Sequence, residues 1–353
     1  MLKKEYFVSI LIPCFNESKV IIETLESIRN QTYKNYEVLI ADDGSTDDTV
    51  KKVSKYINSN KLNNFRVVSG KHKGRPDVLN VALPYTKGDI IVNVDADTLL
   101  EENAIERIIT PFQYENVGSV SGNIRPRKRN NSLLTKLQEL EYALSQEVFR
   151  FSQGRSGNCI IIPGAFCAYR KKCLGKFEVG TLSEDFDTSS KILKQGLKNI
   201  FVDDAIAYTA IPTNLSGIIS QRLRWQEGGF QVVSKYLFDF PRKSTKFWYF
   251  WFFFSALQGA FIRMFVIVLL PMYLFFSTAT ILIILINMFY TTLLYSGLIY
   301  FHNRKYRSGK FLQHLTVMPI FTVYFFFIWT YATFTGQICA LKEIKEWLKI
   351  KRE

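Results

Sequence analysis

The stretch "GDIIVNVDADT" (Gly88–Thr98) decides how the first two thirds of the chain is read. A short apolar run ends in two carboxylates, Asp95 and Asp97, one residue apart. The run reads as a strand, and the acids fall where that strand breaks into a turn. Working outward, the same unit recurs. "YFVSILIP" leads to the helical pattern "SKVIIETLESIRNQ", and "YEVLIADDGS" leads to "TDDTVKKVSKYIN". "FRVVSG" precedes a helix expected near 76–83, and "EENAIERIITPFQ" follows the opening stretch. Strand–helix alternation over residues 1–210 predicts an α/β fold, an open and mostly parallel sheet.

In such sheets ligands bind beyond the carboxyl ends of the strands. The acidic groups gather at those ends: Asn16 and Glu17 after the first strand, Asp42 and Asp43 after the second, Asp95 and Asp97 after the fourth. There is no GxGxxG after the first strand and no GxxxxGK[ST], which disfavours a dinucleotide dehydrogenase and excludes a P-loop enzyme. An acidic pocket that binds a phosphate-bearing ligand needs a divalent cation between the charges, and hard oxygen donors suit Mg²⁺ or Mn²⁺. Alone, the Asp-x-Asp pair is more often a solvated turn. "DDGSTDD" (42–48) has a local reading too, because Ser45 and Asp48 fit a helix capping box. "LSEDFDTSSKIL" (182–193) adds Glu184, Asp185 and Asp187 at the start of an amphipathic helix, where acids also suit the helix dipole. Together, a metal-held leaving group and a separate carboxylate are what a direct displacement at a sugar carbon requires.

Charge divides the chain. Of a net +14, residues 241–353 supply +10, from 13 Lys and Arg against 3 acids, and no Asp or Glu occurs from Pro241 to Ala340. The positive charge therefore flanks apolar segments, as in cytoplasmic membrane borders, and nucleic-acid binding is not expected. Segments 247–276 and 278–301 are each long enough to cross a bilayer, with basic 242–246 and 302–310 expected on the cytoplasmic side. Residues 247–258 are expected along the interface, and Arg263 should face protein, water or a polar substrate. A third segment, 311–341, is divided by Pro319. It either crosses or returns, leaving the side of the basic tail 342–353 open. Five Cys without a CxxC pair indicate a reduced, cytoplasm-facing domain. The expected organisation is a cytoplasmic catalytic domain over 1–240, interfacial and transmembrane helices over 241–341, and a basic amphipathic tail over 342–353.

"ISQRLRWQEGG" (219–229) admits two readings: an interfacial anchor built on Trp and Arg, or part of an active site beside a membrane. With "VSILIPCFNES", "ADDGSTDDT", "VDADT" and "SED" before it, the order of motifs resembles the processive, membrane-embedded family-2 glycosyltransferases. That family includes cellulose, chitin, hyaluronan and poly-N-acetylglucosamine synthases. "SGNIRPRKRNNSLLTKLQELEYA" and "QRLRWQEGG" are most similar to its bacterial poly-β-1,6-N-acetylglucosamine branch. The resemblance runs from about Val8 to the last apolar segment, and five motifs in order are specific where each alone is weak.

The resemblance implies a GT-A-type, Rossmann-like catalytic domain followed by a C-terminal transmembrane helical region. It implies inverting transfer from a UDP-sugar, UDP-N-acetylglucosamine by expectation, with Mg²⁺ or Mn²⁺, to lengthen a β-linked polysaccharide at the plasma membrane. By position in the motifs, Pro13, Asn16 and Glu17 would line the nucleotide pocket and Asp43 would meet the uracil. Asp95 would contact ribose or diphosphate, Asp97 the metal, and Asp185 would be the general base with Glu184 beside it. Gln221 and Arg224 would meet the diphosphate, and Trp225 would lie under the acceptor sugar, roles that suit a guanidinium fork and an indole face. Arg222, outside the motif's fixed positions, is expected at the membrane surface. Where relatives read G-K-A-x-x-L-N, this chain has "GRPDVLN" (74–80), so Arg75 would take over the positive charge on the donor. The chain starts almost at its first strand, so a translocation channel would be thinner, or completed by another subunit or a second copy. Transfer of one sugar to a lipid-linked acceptor is the alternative reading, and an inactive membrane scaffold a third.

Overall fold

The computed structural model describes residues 5–127, 132–236, 239–264, 286, 289–301 and 311–350. Contacts divide the chain into two units: residues 1–127, 150–210 and 239–245, and residues 128–149, 211–238 and 246–353.

The first unit is an eight-stranded sheet in the order β3-β2-β1-β4-β7-β6-β8-β5. The strands are β1 (Val8–Cys14), β2 (Tyr36–Asp42), β3 (Phe65–Ser69), β4 (Ile90–Val94), β5 (Leu99–Leu100), β6 (Val117–Pro126), β7 (Phe166–Arg170) and β8 (Lys198–Thr209). Every residue of β1, β2, β4 and β7 is buried, as expected where both sheet faces are covered, and the runs are accordingly mostly apolar, with Ser9, Glu37, Asp42, Asn93 and Arg170 as buried polar exceptions. Helices α1 (Ile21–Arg29), α2 (Thr49–Ser59) and α3 (Arg75–Ala82) are the crossovers that let β1, β2, β3 and β4 pair in parallel. Beyond β4 the sheet is mixed: β7 runs antiparallel to both β4 and β6, while β6 and β8 are parallel. The rest of the unit carries α4 (Ala104–Ile109), α6 (Phe151–Arg155), α7 (Lys171–Leu174) and α8 (Glu184–Lys194). Strand order reverses between β1 and β4, so the crevice where such sheets bind ligands opens between the loops that carry Asn16 and Asp95.

One local expectation is corrected. Ser45 does not cap a helix: α2 starts at Thr49, and the Ser45 hydroxyl instead accepts the Asn16 amide at 3.0 Å. The first amide of α2, Thr49 N–H, goes to Asp47 Oδ1 at 2.9 Å. The Asp47 amide that a Ser45 cap could have held goes instead to the Asn16 side-chain oxygen, and the freed Ser45 ties two loops together.

The second unit holds α5 (Leu133–Tyr142), a π-helical stretch Ala143–Arg150 that passes into the first unit at its last residue, α9 (Leu215–Tyr236) and α11 (Phe311–Ile350). Ser132 caps α5 by accepting the Thr135 amide at 3.2 Å. Leu137, Leu140, Ile218, Met318, Phe321 and Ile328 form its core. Helix α10 (Lys243–Met264) joins the units in sequence, and Phe247, Phe250, Trp251 and Phe254 are exposed along it.

Within α11, His314–Leu341 is long and apolar enough to cross a membrane, with mean hydropathy 1.6. The helix runs straight through Pro319, so the expected division there is not observed. Proline removes one amide donor, and helix-breaking residues are tolerated where neighbouring side chains pack; Met318 and Phe321 on either side are fully buried. Of the two other expected crossings, residues 265–276 and most of 278–288 lie outside the described residues, as do the basic segment 302–310 and the Arg263 side chain.

Candidate active site

The loop after β1 is built around Asn16, whose φ of 57° lies in the left-handed region that Asn tolerates better than most residues. Its side-chain oxygen accepts the amides of Thr46 at 2.8 Å and Asp47 at 3.2 Å, clamping the β1 loop to the β2 loop. Pro13 is buried inside β1, paired with Ala41 of β2. The Glu17 amide donates to Thr49 Oγ1 at 2.8 Å. Its carboxyl is pushed up to about 7, first by burial and then by the charges of Asp97 and Asp95.

Asp43 is buried at 3% exposure, and its carboxylate gathers one turn of chain. It accepts the amides of Lys73 at 3.0 Å and Gly74 at 2.9 Å, and pairs with His72 Nδ1 at 2.8 Å. Gly74, at φ 108°, is where the backbone needs a residue without a Cβ. The turn holds the His72 ring flat against Phe15, with centroids 4.0 Å apart and planes at 15°.

That same turn launches α3, whose first residue is Arg75. Its guanidinium reaches Asp95 Oδ1 through Nη2 at 2.7 Å and Nε at 3.2 Å. It also donates to Glu184 and, through Nη2 at 2.9 Å, to the Gly164 carbonyl. Burial opposes the charge on Arg75, but Asp95 and then Glu184 outweigh it and hold the group well above its usual pKa. One residue thus joins the end of β4 to the start of α8.

Gly164 completes the connection from the other side, its amide donating to Asp185 Oδ2 at 2.8 Å. A Cβ at this position would lie 2.6–2.9 Å from the Arg75 guanidinium, so only glycine leaves room for it. Asp185 Oδ1 accepts the Phe186 amide at 2.7 Å. The carboxyl is pushed up to about 6, by burial first and the neighbouring Glu184 second, with Arg75 pulling the other way. Asp97 also rises to about 6, through burial and then Asp95. It accepts from the hydroxyls of Thr98 and Thr209, each at 3.4 Å.

Among the described residues no group of three His, Cys, Asp or Glu forms a ready-made metal cage. The chemistry of the acids nevertheless fits a divalent cation. The charges of Asp97 and Asp95 add to burial in raising the proton affinity of Glu17, and the charge of Asp95 adds to burial at Asp97; a hard cation relieves such crowding.

Of the expected site residues, the structure draws Arg75, Asp95, Glu184 and Asp185 into one hydrogen-bonded cluster through Gly164, and brings the charge of Asp97 to bear on Glu17. Sequence reasoning missed Gly164, His72 and Phe15. The Pro163–Gly164 dipeptide before β7 is a turn signal, but a turn signal does not say which carboxylate its amide will meet.

Gln221, Arg224 and Trp225 lie on α9 in the second unit. Arg224 is exposed and Trp225 is 37% exposed. Arg222, expected at the surface, is fully buried instead. It forks onto Glu141 of α5 at 2.8 and 2.7 Å, donates to the Gln221 side chain, and lies 4.4 Å over the Trp225 ring. The burial follows from that partner: a guanidinium can leave water when a carboxylate matches its fork.

Comparison with known proteins gives three findings. Residues 9–177 match the glycosyl transferase family 2 model. The chain is 30% identical over 237 residues to a poly-beta-1,6-N-acetyl-D-glucosamine synthase of Staphylococcus aureus, covering 66% of this chain and 57% of that protein. The corresponding protein of Staphylococcus epidermidis is 29% identical, with 64% and 55% covered, so the chain spans little more than half the length of these relatives. Among solved structures, the mannosyltransferase PcManGT of Pyrobaculum calidifontis, in complex with GDP-Man and Mn²⁺, shares the fold at a TM-score of 0.69 and 19% identity, over 96% of this chain and 88% of that one.

Proposed function

Residues 9–177 are a glycosyl transferase family 2 domain, and from that premise we propose that the chain is an inverting glycosyltransferase that extends a β-linked polysaccharide from a UDP-sugar at a membrane. The observation that carries the reading is the hydrogen-bonded cluster that links Asp95 to Glu184 through Arg75 and Arg75 to Asp185 through Gly164. It ties the acidic end of β4 to a carboxylate with the proton affinity of a base at neutral pH.

In this reading Asp185 takes the proton from the attacking hydroxyl of the acceptor. The ionised form is the active one, and a value near 6 leaves it ionised yet basic at pH 7. The hydroxyl oxygen forms its bond to the anomeric carbon as the bond to the diphosphate oxygen breaks, inverting the centre in one displacement. Arg75 balances Glu184 and Asp95, keeping Asp185 ionised, and its positive charge lies beside the acids expected to face the donor's phosphates. Asp97, with the charges of Asp95 and Glu17 acting beside it, would hold Mg²⁺ or Mn²⁺, which supplies charge neutralisation for the departing diphosphate. Asn16 and Asp43 fix the two loops expected to flank the nucleotide. Gln221, Arg224 and Trp225 are proposed as diphosphate and acceptor contacts. UDP-N-acetylglucosamine is the proposed donor, on the strength of the staphylococcal relatives' names. The apolar span His314–Leu341 and the segments 247–276 and 278–301 are proposed to hold the protein in the plasma membrane by several crossings, with the catalytic domain cytoplasmic.

The test is incubation of the purified full chain with UDP-sugars, including UDP-N-acetylglucosamine, in Mg²⁺ or Mn²⁺ and in EDTA. Metal-dependent UDP release with a ladder of products is expected. No release with any donor would sink the proposal, and a single added sugar in place of a ladder would replace extension by single transfer.

A further inference from the structure

Glu141 is an acid on the apolar face of α5, four residues after Leu137 and three before Leu144, both buried. It is 3% exposed, and its partners among the described residues, Arg222, Tyr324 and Trp329, lie in the second unit. Arg222 of α9 forks onto both oxygens at 2.8 and 2.7 Å. From α11, Trp329 Nε1 donates to Oε1 at 2.9 Å and the Tyr324 hydroxyl to Oε2 at 3.3 Å. Three helices thus meet on one carboxylate, each contributing a donor or the acceptor.

A buried ion pair of this kind is a poor source of stability, because desolvation cancels much of the attraction; its better-attested use is to fix geometry. The geometry fixed here continues past the pair. The Arg222 guanidinium, flat and held by Glu141, lies 4.4 Å over the Trp225 ring. Trp225 sits three residues on, so both side chains leave the same face of α9. Tyr142, next to Glu141, flanks the indole with ring centroids 6.4 Å apart. One indole face is covered by the guanidinium, and Trp225 keeps 37% of its surface exposed.

We propose that the buried Glu141–Arg222 pair is a positioning device for Trp225, presenting the indole's open surface to an acceptor sugar. Arg222 acts through Trp225, and Glu141 acts through Arg222. The inference rests on the proposed function, in which Trp225 is the acceptor platform. Lysine cannot replace the arginine in this role, since an ammonium has neither the plane that lies on an indole nor the fork that meets both carboxylate oxygens.

The experiment is a double-mutant cycle on the full-length protein, with UDP-N-acetylglucosamine as donor and a β-linked N-acetylglucosamine tetramer as acceptor. Arg222→Lys is expected to raise the acceptor KM about tenfold while the donor KM stays within about twofold. Trp225→Ala is expected to raise the acceptor KM at least as much, and the double variant to be no worse than Trp225→Ala alone. Should Arg222→Lys fail to fold, Glu141→Gln, which keeps the shape and an acceptor for Trp329, runs the same cycle. Additive effects, or equal losses in donor and acceptor KM, would overturn the proposal. Wild-type protein that releases no UDP defeats the functional reading itself, whereas active wild type with an additive cycle defeats only the positioning role.

Discussion

The amide of Gly164 donates to the Asp185 carboxylate at 2.8 Å, while the carbonyl of the same residue accepts from Arg75 at 2.9 Å. One glycine therefore holds the proposed base with one peptide group and its counter-charge with the next. Gly164→Ala places a methyl 2.6 Å from Arg75 Nη2, and the guanidinium, being the end of a flexible side chain, moves aside. The fold should lose only about 1 kcal/mol, but kcat/KM should fall tenfold or more, about 1.4 kcal/mol of transition-state stabilisation. Thermal unfolding and steady-state kinetics on the same preparation separate the two. A large loss of stability with proportionate activity would refute the local reading.

Asp185 titrates upward, to about 6, so the rate should climb as pH rises from about 5 to 7 and then level off, because only the ionised carboxylate accepts a proton. Asp185→Asn should reduce transfer about 10³-fold while UDP binding, followed by calorimetry, is retained. Unchanged turnover would remove Asp185 from the role of base.

Arg75 lowers the proton affinity of Asp185, so its neutral replacement should move the acid limb of the pH–rate profile upward. Arg75→Met is expected to show that alkaline shift together with a weaker donor KM. Arg75→Lys should keep most of the pH profile but lose about tenfold or more in kcat/KM, since one ammonium cannot meet Asp95, Glu184 and the Gly164 carbonyl together. An unshifted limb in Arg75→Met would show that the pair does not tune the base.

Glu17 and Asp97 carry raised values, about 7 and about 6. A carboxyl raised on folding favours the native state most below its unfolded value, near 4, and that contribution is lost as pH rises through its folded value. In EDTA the thermal midpoint should therefore decline between about pH 5 and 8 on account of these groups. Mn²⁺ should raise the midpoint more at pH 8, where the carboxylates are ionised, than at pH 5. Equal shifts at both pH values would contradict the assignment of these acids to the cation.

Much of this molecule is legible in its sequence. Apolar runs of five to seven residues alternating with amphipathic helices dictate β1 to β4 and their parallel order, since both follow from burial and from the length of the crossovers. The acids at the ends of β1, β2 and β4, and those opening α8, are likewise local facts, because a strand's last residue sits at the sheet's edge whatever its partners are. Arg75 could be named as a site cation from the stretch it interrupts.

Tertiary structure alone decided the pairings. Gly164 lies 89 residues beyond Arg75 and 21 before Asp185, and its backbone meets both only because β7 runs antiparallel beside β4. Arg222 was legible as an anchor for a membrane surface, yet it is buried, because Glu141, 81 residues earlier, offers a carboxylate that matches its fork and offsets the loss of water. Periodicity reports which face of an element is buried. Which charge neutralises which depends on long-range packing, and no local pattern encodes it.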